Sequence, residues 1–532
     1  MSRTTRPVAL ARNGMVSSPH YLASTAGLQV LQEGGSAVDA AVAINATLGV
    51  VYPHMTGPGG DAFWLIYDAQ SRRVHALNGS GRAGAAATRD FYRRQGHQEI
   101  PSRGPGAVVT VPGAVDSWCT AHDRYGKLPL ERLLAPAINY ARSGFAVCAG
   151  LASCTAELTE MLSTHEATRS TMLPGGSASL MGEVLSLPKL AETLETVAQK
   201  GRDGFYQGPV ADEITRALQS QGGVLTAADF AAHSSDWTEP ISTTYRGYRA
   251  YQHGPNSQGF AHLMALNILE NFNISGMDHH GPGYVHLLVE ATKQAFADRD
   301  RYLTDPAFAD IPMDHLLSAE YAAELAGRIT DAPGSPLRPA ARLGGDTTCS
   351  VVVDSEGNAV SVIQSLYHEF GSGFIGGETG VLLQNRGSFF SLDDEHPNRL
   401  EPGKRTFHTL MPGMLFRDEQ PYLVYGTMGG EGQPQTSTAL VTRIVDFGCD
   451  VQTAIDAPRW LYGRTWGEAR RDLRMESRFS AATLDTLGNL GHPVRQAGAW
   501  DDTMGHAQAI RITDGVLAGG ADPRGEGLAL GW

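Results

Sequence analysis

The sequence predicts a mixed α/β (α+β) protein. Three observations carry that expectation: segments of helical period before residue 330, a break rich in proline and glycine at 330–346, and β-rich patterning after it. Taken in order, YLASTAGLQVLQE reads as a helix stopped by Gly34 and Gly35. Ser36, with Asp39 three residues later, makes an N-cap pair for a second helix over 37–51. The loop HMTGPGGD (54–61) lacks the Lys-Ser/Thr of a P-loop and the G-x-G-x-x-G order of a dinucleotide site, so it reads as a tight turn into the strand AFWLIYD. In HLLVEATKQAFADRDRYLTDP (286–306), Leu288, Ala291 and Ala295 share a stripe, Val289 and Phe296 lie beside it, and Pro306 ends the helix. Glu290, Asp298, Arg299 and Asp300 on its other face could serve catalysis, but a solvated, salt-bridged face is the better reading. TDAPGSPLRPAARLGGD, with three prolines and three glycines, is a linker. Beyond it come alternating strands, glycine turns and a short helix around VQTAIDAPRW (451–460).

Composition removes several function classes. A chain of 532 residues, 42% hydrophobic and 18% charged, describes a soluble globular protein with ample core, of a length that ordinarily suggests three or four domains. A net charge of −14 without basic runs argues against nucleic acid as a partner. Five cysteines without C-x-x-C spacing indicate neither a disulfide framework nor a zinc site. His279 and His280 lack ligand spacing, His253 reads as a turn residue, and no metal or organic cofactor is expected. The N-terminal stretch has no apolar segment of the signal-peptide kind, and the longest apolar run, 40–51, is too short to span a bilayer. No membrane partner and a cytoplasmic location are therefore expected.

TTCSVVV (347–353) and AVSVIQS (359–365) form a candidate hairpin whose turn, DSEGN, contains Gly357-Asn358. If Val353 pairs with Ala359, Thr347 faces Ser365 across the open end, their Cβ atoms about 5 Å apart. A threonine hydroxyl in mid-chain has no base to take its proton. At a new N-terminus its own α-amino group, with a reference pKa of about 7.7–8.0, supplies one. A cut between Asp346 and Thr347 would therefore create a nucleophile, and the same hydroxyl can make the cut by attacking the Asp346 carbonyl. Both threonines are otherwise ordinary β-branched strand residues.

DTTCSVVVDSEGNAVSVIQS, FGSGF and GETGVLLQN resemble the start of the small subunit of the γ-glutamyltransferase family. EGGSAVDAAVAINATLGVVYP, TGPGGDAF, VTVPGAV, GPNSQG, MGGEGQPQ and ADPRGEG extend that resemblance over nearly the whole chain. It implies an αββα four-layer sandwich of the N-terminal nucleophile hydrolases, matured by self-cleavage into a large subunit (1–346) and a small subunit (347–532). The two would form a heterodimer that can itself pair further. Residue by residue, it implies Thr347 as nucleophile, Ser365 as the hydroxyl bonded to it, Gly429 and Gly430 as the oxyanion hole, and Asn385 and Tyr367 in the substrate pocket.

The departures from the family pattern bear on substrate. Ser80 stands where the family holds a substrate carboxylate with arginine, with Arg82 two residues on. Ser388 and Phe389 replace acidic residues, His408 and Thr409 replace paired serines, and 391–405 is short for a lid loop. Arg386, beside Asn385, is suited to a bidentate grip on a carboxylate, its alternative being an ion pair with Asp393 or Asp394. His368 is a further pocket candidate. The expected substrate is a small acid amide without an α-amino group, oxamate above all, giving oxalate and ammonia. A γ-glutamyl hydrolase or transferase, a cephalosporin-type acylase, and an uncut binding or scaffold relative remain as alternatives.

Overall fold

The computed structural model describes residues 4–330, 346–463 and 471–532; the stretch 331–345, most of the expected linker, lies outside them. Two seven-stranded antiparallel sheets stack face to face. The first runs in the order Leu528–Gly531, Met15–Ser18, Asp346–Val353, Ala359–Tyr367, Asp61–Asp68, Arg73–Gly79, Asp236–Thr238. The second runs Ala9–Ala11, Val516–Ala521, Ala507–Thr513, Gln420–Thr427, Gly413–Arg417, Tyr248–Gln252, Ile241–Tyr245.

Side chains alternate between the faces of a strand, and here both faces are covered. Cys349, Val351, Phe63 and Leu65 of the first sheet meet Met414, Val424 and Ile510 of the second. Val352, Val360, Val362 and Trp64 point the other way, into a cluster with the helix Ala37–Val51, every residue of which is buried. On the far side, Leu415, Leu423 and Ala509 pack beneath the helices Gly259–Leu269, Pro282–Tyr302 and Gln433–Val445. Helices, sheet, sheet, helices: the four-layer αββα arrangement is present. Each segment flanking the 331–345 stretch supplies seven of the fourteen strands, and both segments enter both sheets.

Local rules hold at several elements. The Ser36 hydroxyl accepts from Asp39 N (3.1 Å) while Asp39 accepts from Ser36 N (2.9 Å), the expected capping box. In the hairpin turn Gly357 takes φ +86°, and Asp354 accepts from the amides of Glu356 and Asn358. The polar face of the 286–306 helix differs from expectation. That helix spans Pro282–Tyr302, and Glu290, Lys293, Asp298 and Arg299 are buried, because it lies between two other helices. Its charges are matched internally, Lys293 to Glu290 at 2.6 Å and Asp298 to the Tyr321 hydroxyl at 2.8 Å. The C-terminal part is also less purely β than expected, since QPQTSTALVTRIV is a buried helix. Among the described residues no helix is long and apolar enough to cross a membrane.

ADPRGEG closes a buried ionic cluster. Arg524 reaches Glu476 at 2.7 and 2.8 Å and Asp522 at 3.1 Å, Arg459 pairs with Asp522, and these two arginines hold the Asp522 carboxyl far below the usual range against the penalty of burial. Removing one partner strands buried charge, so Arg524→Met should cost about 3–5 kcal/mol in urea unfolding; a loss below about 1 kcal/mol would mean that the cluster is solvated.

Candidate active site

The hairpin pairs Thr348 with Gln364 and continues to Val353 with Ala359, the expected register. At its open end the register shifts: Asp346 pairs with Tyr367, which leaves Thr347 alone opposite Ser365 and Leu366. The extra residue of this bulge belongs to the strand Ala359–Tyr367, and the shift takes Thr347 out of regular pairing with Ser365. Thr348 spends its hydroxyl on the Gln364 carbonyl (3.0 Å), whereas Thr347 Oγ1 is buried without a hydrogen-bond partner. The expected bond between the Thr347 and Ser365 hydroxyls is thus absent in the continuous chain. Ser365 Oγ instead accepts from Tyr367 N (2.7 Å) and from Arg386 Nη2 (3.3 Å).

Arg386 opens the 3₁₀ turn Arg386–Phe389 and is 0% exposed. Its Nη1 donates to Thr409 Oγ1 (3.1 Å), and its guanidinium carbon lies 4.4 Å from the Tyr367 ring and 5.4 Å from that of Phe389. No carboxylate stands within ion-pair distance of it among the described residues. The alternative partner Asp394 is taken by Arg89 (2.6 Å) and Arg93 (3.0 Å). Burial pulls Arg386 down to about 10, which leaves it a cation at neutral pH. Tyr367 holds a left-handed backbone (φ +86°), a costly state for a bulky residue and one found at constrained sites.

Beside this cation lies an acid that the sequence reading passed over. Asp61 opens the strand Asp61–Asp68 directly across from Ser365 and is fully buried. Its Oδ1 accepts from Gly81 N, Gly113 N and Gln384 Nε2, each at 3.1 Å, and its Oδ2 from His408 Nε2 at 3.1 Å. Burial raises its carboxyl to about 6 despite Arg386 and those donors, while burial and Arg386 push His408 far below its usual value, so His408 is neutral. The signal was legible in principle: an aspartate heading an otherwise apolar strand.

Gly429 and Gly430 form the turn between the strand Gln420–Thr427 and the helix Gln433–Val445, with φ of +123° and +52°. Met428, just before them, belongs to the same buried cluster as Leu366 and Phe370 and lines one cavity with His368, which follows the hairpin strand. The first turn of a helix leaves amide N–H groups without intrahelical acceptors, the donors an oxyanion needs. Gln258 fixes this turn by donating to the carbonyls of Gly430 (3.0 Å) and Thr409 (2.8 Å). Arg299 in turn donates to Gln258 (3.1 Å) and Glu431 (2.7 Å), which is the work of its buried charge.

Other expected residues lie differently. Asn385 spends its amide on Ser102 O (2.7 Å) and accepts from His368 N (3.0 Å), so it braces the pocket. Arg82 is 40% exposed, salt-bridged to Asp236 (3.0 Å), and none of its contacts reaches the Thr347 cluster. His368 lies on the Tyr367 ring (4.4 Å) and, with Met428, His54, His506 and Glu526, lines a cavity of about 890 Å³. His286, Glu290 and His492 form a buried group of metal-ligand type, but Lys293 occupies Glu290 and His286 is bonded to His492 (2.8 Å) and Thr330 O (2.7 Å).

Comparison with known proteins matches residues 23–532 to the gamma-glutamyltranspeptidase family model. The glutathione hydrolase-like YwrD proenzyme of Bacillus subtilis (strain 168) is 51% identical, covering 97% of this chain and 98% of that protein. The oxamate amidohydrolase proenzyme of Klebsiella pneumoniae is 42% identical, covering 98% and 99%. The crystal structure of a cephalosporin acylase from Bacillus halodurans superposes with a TM-score of 0.92 at 38% identity, covering 100% of this chain and 98% of that one.

The difference between the two threonine hydroxyls has a direct test. Thr347→Ala should migrate as one chain on a denaturing gel, whereas Thr348→Ala should still give two fragments; the reverse pattern would move the nucleophile by one residue.

Proposed function

Because the chain belongs to the gamma-glutamyltranspeptidase family, we propose that it is an amidohydrolase that activates itself by cleavage before Thr347. Its substrate on this reading is a small amide with one carboxylate and no α-amino group, and oxamate is the compound that fits. The observation that carries the reading is Arg386: a wholly buried guanidinium that, among the described residues, is bonded to two hydroxyls alone and stacked on aromatic rings. Burying a cation with no carboxylate in direct contact costs several kcal/mol unless a ligand supplies that contact, and Asp61 acts on it only from a distance. The guanidinium also touches Ser365, across the hairpin from Thr347. A carboxylate held there leaves room for only a short carbon chain before the amide carbonyl meets the nucleophile.

Activation starts when Thr347 Oγ1 attacks the Asp346 carbonyl and turns the peptide bond into an ester. Water opens that ester, leaving segments 1–346 and 347–532. In turnover the freed α-amino group takes the hydroxyl proton, Oγ1 adds to the amide carbonyl, and the Gly429 and Gly430 amides hold the oxyanion. Nitrogen leaves as ammonia, and water hydrolyses the acyl ester to a second carboxylate.

A γ-glutamyl substrate, the reading that the 51% relative's name favours, brings an α-ammonium group as well as a carboxylate. The acid next to Arg386 is Asp61, and its oxygens already accept four hydrogen bonds, so it is poorly placed to hold an ammonium. Ammonia release from oxamate and from glutamine, measured side by side on protein of known intact mass, separates these readings. Release from oxamate alone, by protein cut between Asp346 and Thr347, is expected. Release from glutamine alone would assign the γ-glutamyl reaction, and an uncut inert chain would leave a binding or scaffold role. Arg386→Gln should lower kcat/KM on oxamate by roughly 100-fold or more, the loss of about 3 kcal/mol for one buried charge-assisted contact.

A further inference from the structure

Arg386 and Asp61 are both fully buried, yet they do not form an ion pair. In sheet order the strand of Thr347 lies next to that of Ser365, and the strand of Asp61 lies next again, so Asp61 sits two strand spacings, about 10 Å, from the nucleophile. The Arg386 guanidinium, bonded to Ser365, stands at the middle strand. Four donors fix Asp61 in place, one of them the amide of Gly113 at the N-terminus of the helix Ala114–Tyr125, which adds the favourable end of a helix dipole. Its accepting oxygens are committed to these four bonds rather than to a substrate. The acid therefore acts on a ligand through its charge.

The titratable groups that face Asp61 are few. Arg386 and His408 stand nearest, with buried His253 behind His408. Asp116, on the helix that Gly113 precedes, is turned to Arg202 at 2.6 Å. After the cut, the Thr347 amino group joins them two strands away.

Resting on the reading that Arg386 holds a substrate carboxylate, we propose that Asp61 is a specificity-determining counter-charge that admits an amide with one carboxylate and expels the dicarboxylate made from it. The charges balance as follows. Apart from the Thr347 amino group, the two buried side chains of the empty pocket sum to zero, Arg386 positive and Asp61 negative. An acid amide such as oxamate brings the sum to one negative charge. Hydrolysis adds the elements of water, breaks the C–N bond, and gives a dicarboxylate and ammonium; with ammonium gone, Asp61 and the dicarboxylate put three negative charges around the single buried guanidinium, a net charge of −2 on these groups. Product is pushed out where substrate is tolerated. Without Asp61 the dicarboxylate would be the better ligand for the guanidinium.

The test is inhibition of the cut enzyme by oxalate, measured against oxamate as the competing ligand, in wild type and in Asp61→Asn. The asparagine oxygen can keep the Gly81, Gly113 and Gln384 bonds, and His408 can meet the new amide group by exchanging tautomer. The oxalate-to-oxamate affinity ratio should rise at least 10-fold in Asp61→Asn and stay within about twofold of wild type in His408→Gln, which leaves the charge in place. Oxalate inhibition of wild type should tighten about 10-fold from pH 8 to pH 6, as Asp61 gains its proton, and become flat in Asp61→Asn; a merely structural aspartate would move neither the ratio nor the pH profile. Without any variant, calorimetry of oxalate binding at pH 7 in two buffers of different ionisation enthalpy should show proton uptake. Uptake that persists in Asp61→Asn belongs to the Thr347 amino group and overturns the proposal, as does an unchanged ratio in a folded variant. If Arg386→Gln leaves both ligands bound as before, the carboxylate reading itself fails and this inference falls with it. If Arg386→Gln loses both while Asp61→Asn changes nothing, only the role of Asp61 is lost.

Discussion

The ladder between Asp346–Val353 and Ala359–Tyr367 is the constraint on which the rest of the molecule depends. It lies inside the first sheet, with Met15–Ser18 on its outer side and Asp61–Asp68 beyond, and both its faces are covered. A residue at the end of such a strand is placed by the pairing of its neighbours. The single irregularity in the ladder falls at Thr347, the residue whose hydroxyl is left without a partner. Regular pairing sets the position, and the bulge in the facing strand releases Thr347 from the regular pairing.

Around that strand end the polar groups sort into two kinds. Some are saturated and serve as braces: Asn385 between two loops, Gln258 across the Gly430 and Thr409 carbonyls, Arg299 behind Gln258. Others are buried but incompletely matched, among them Thr347, Arg386 and Gln384. Folding ordinarily removes unmatched buried polar groups, since each carries a desolvation cost. That a buried cation and an unbonded hydroxyl stand at one end of one hairpin, both beside Ser365, is the physical ground for reading a ligand site there.

Much of this was legible in the sequence where the information is local. The capping box at Ser36, the DSEGN turn and the hairpin register all follow from residues a few positions apart, and the structure contains them. What was missed depends on distant neighbours. Glu290, Lys293, Asp298 and Arg299 look like a solvated stripe until the helices Gly259–Leu269 and Gln433–Val445 cover them. The partners of Arg82, Asp236 and Asp305, lie more than 150 positions away. Asp61 stands at the end of a glycine-rich turn, and only the sheet brings it beside Ser365. The bulge opposite Thr347 lies in Gln364, Ser365, Leu366 and Tyr367, which carry no glycine or proline to mark an irregularity.

The interleaving of the chain has a consequence for the order of events. Each segment flanking the 331–345 stretch provides half of the strands in the two main sheets, so neither can cover its apolar faces without the other. The proposed cut needs the folded geometry of Thr347, and a segment severed before the sheets assemble would have no template on which to form. Catalytic competence would then be a certificate of assembly: a misfolded copy stays whole and silent, and a copy that has matured has, by that fact, folded.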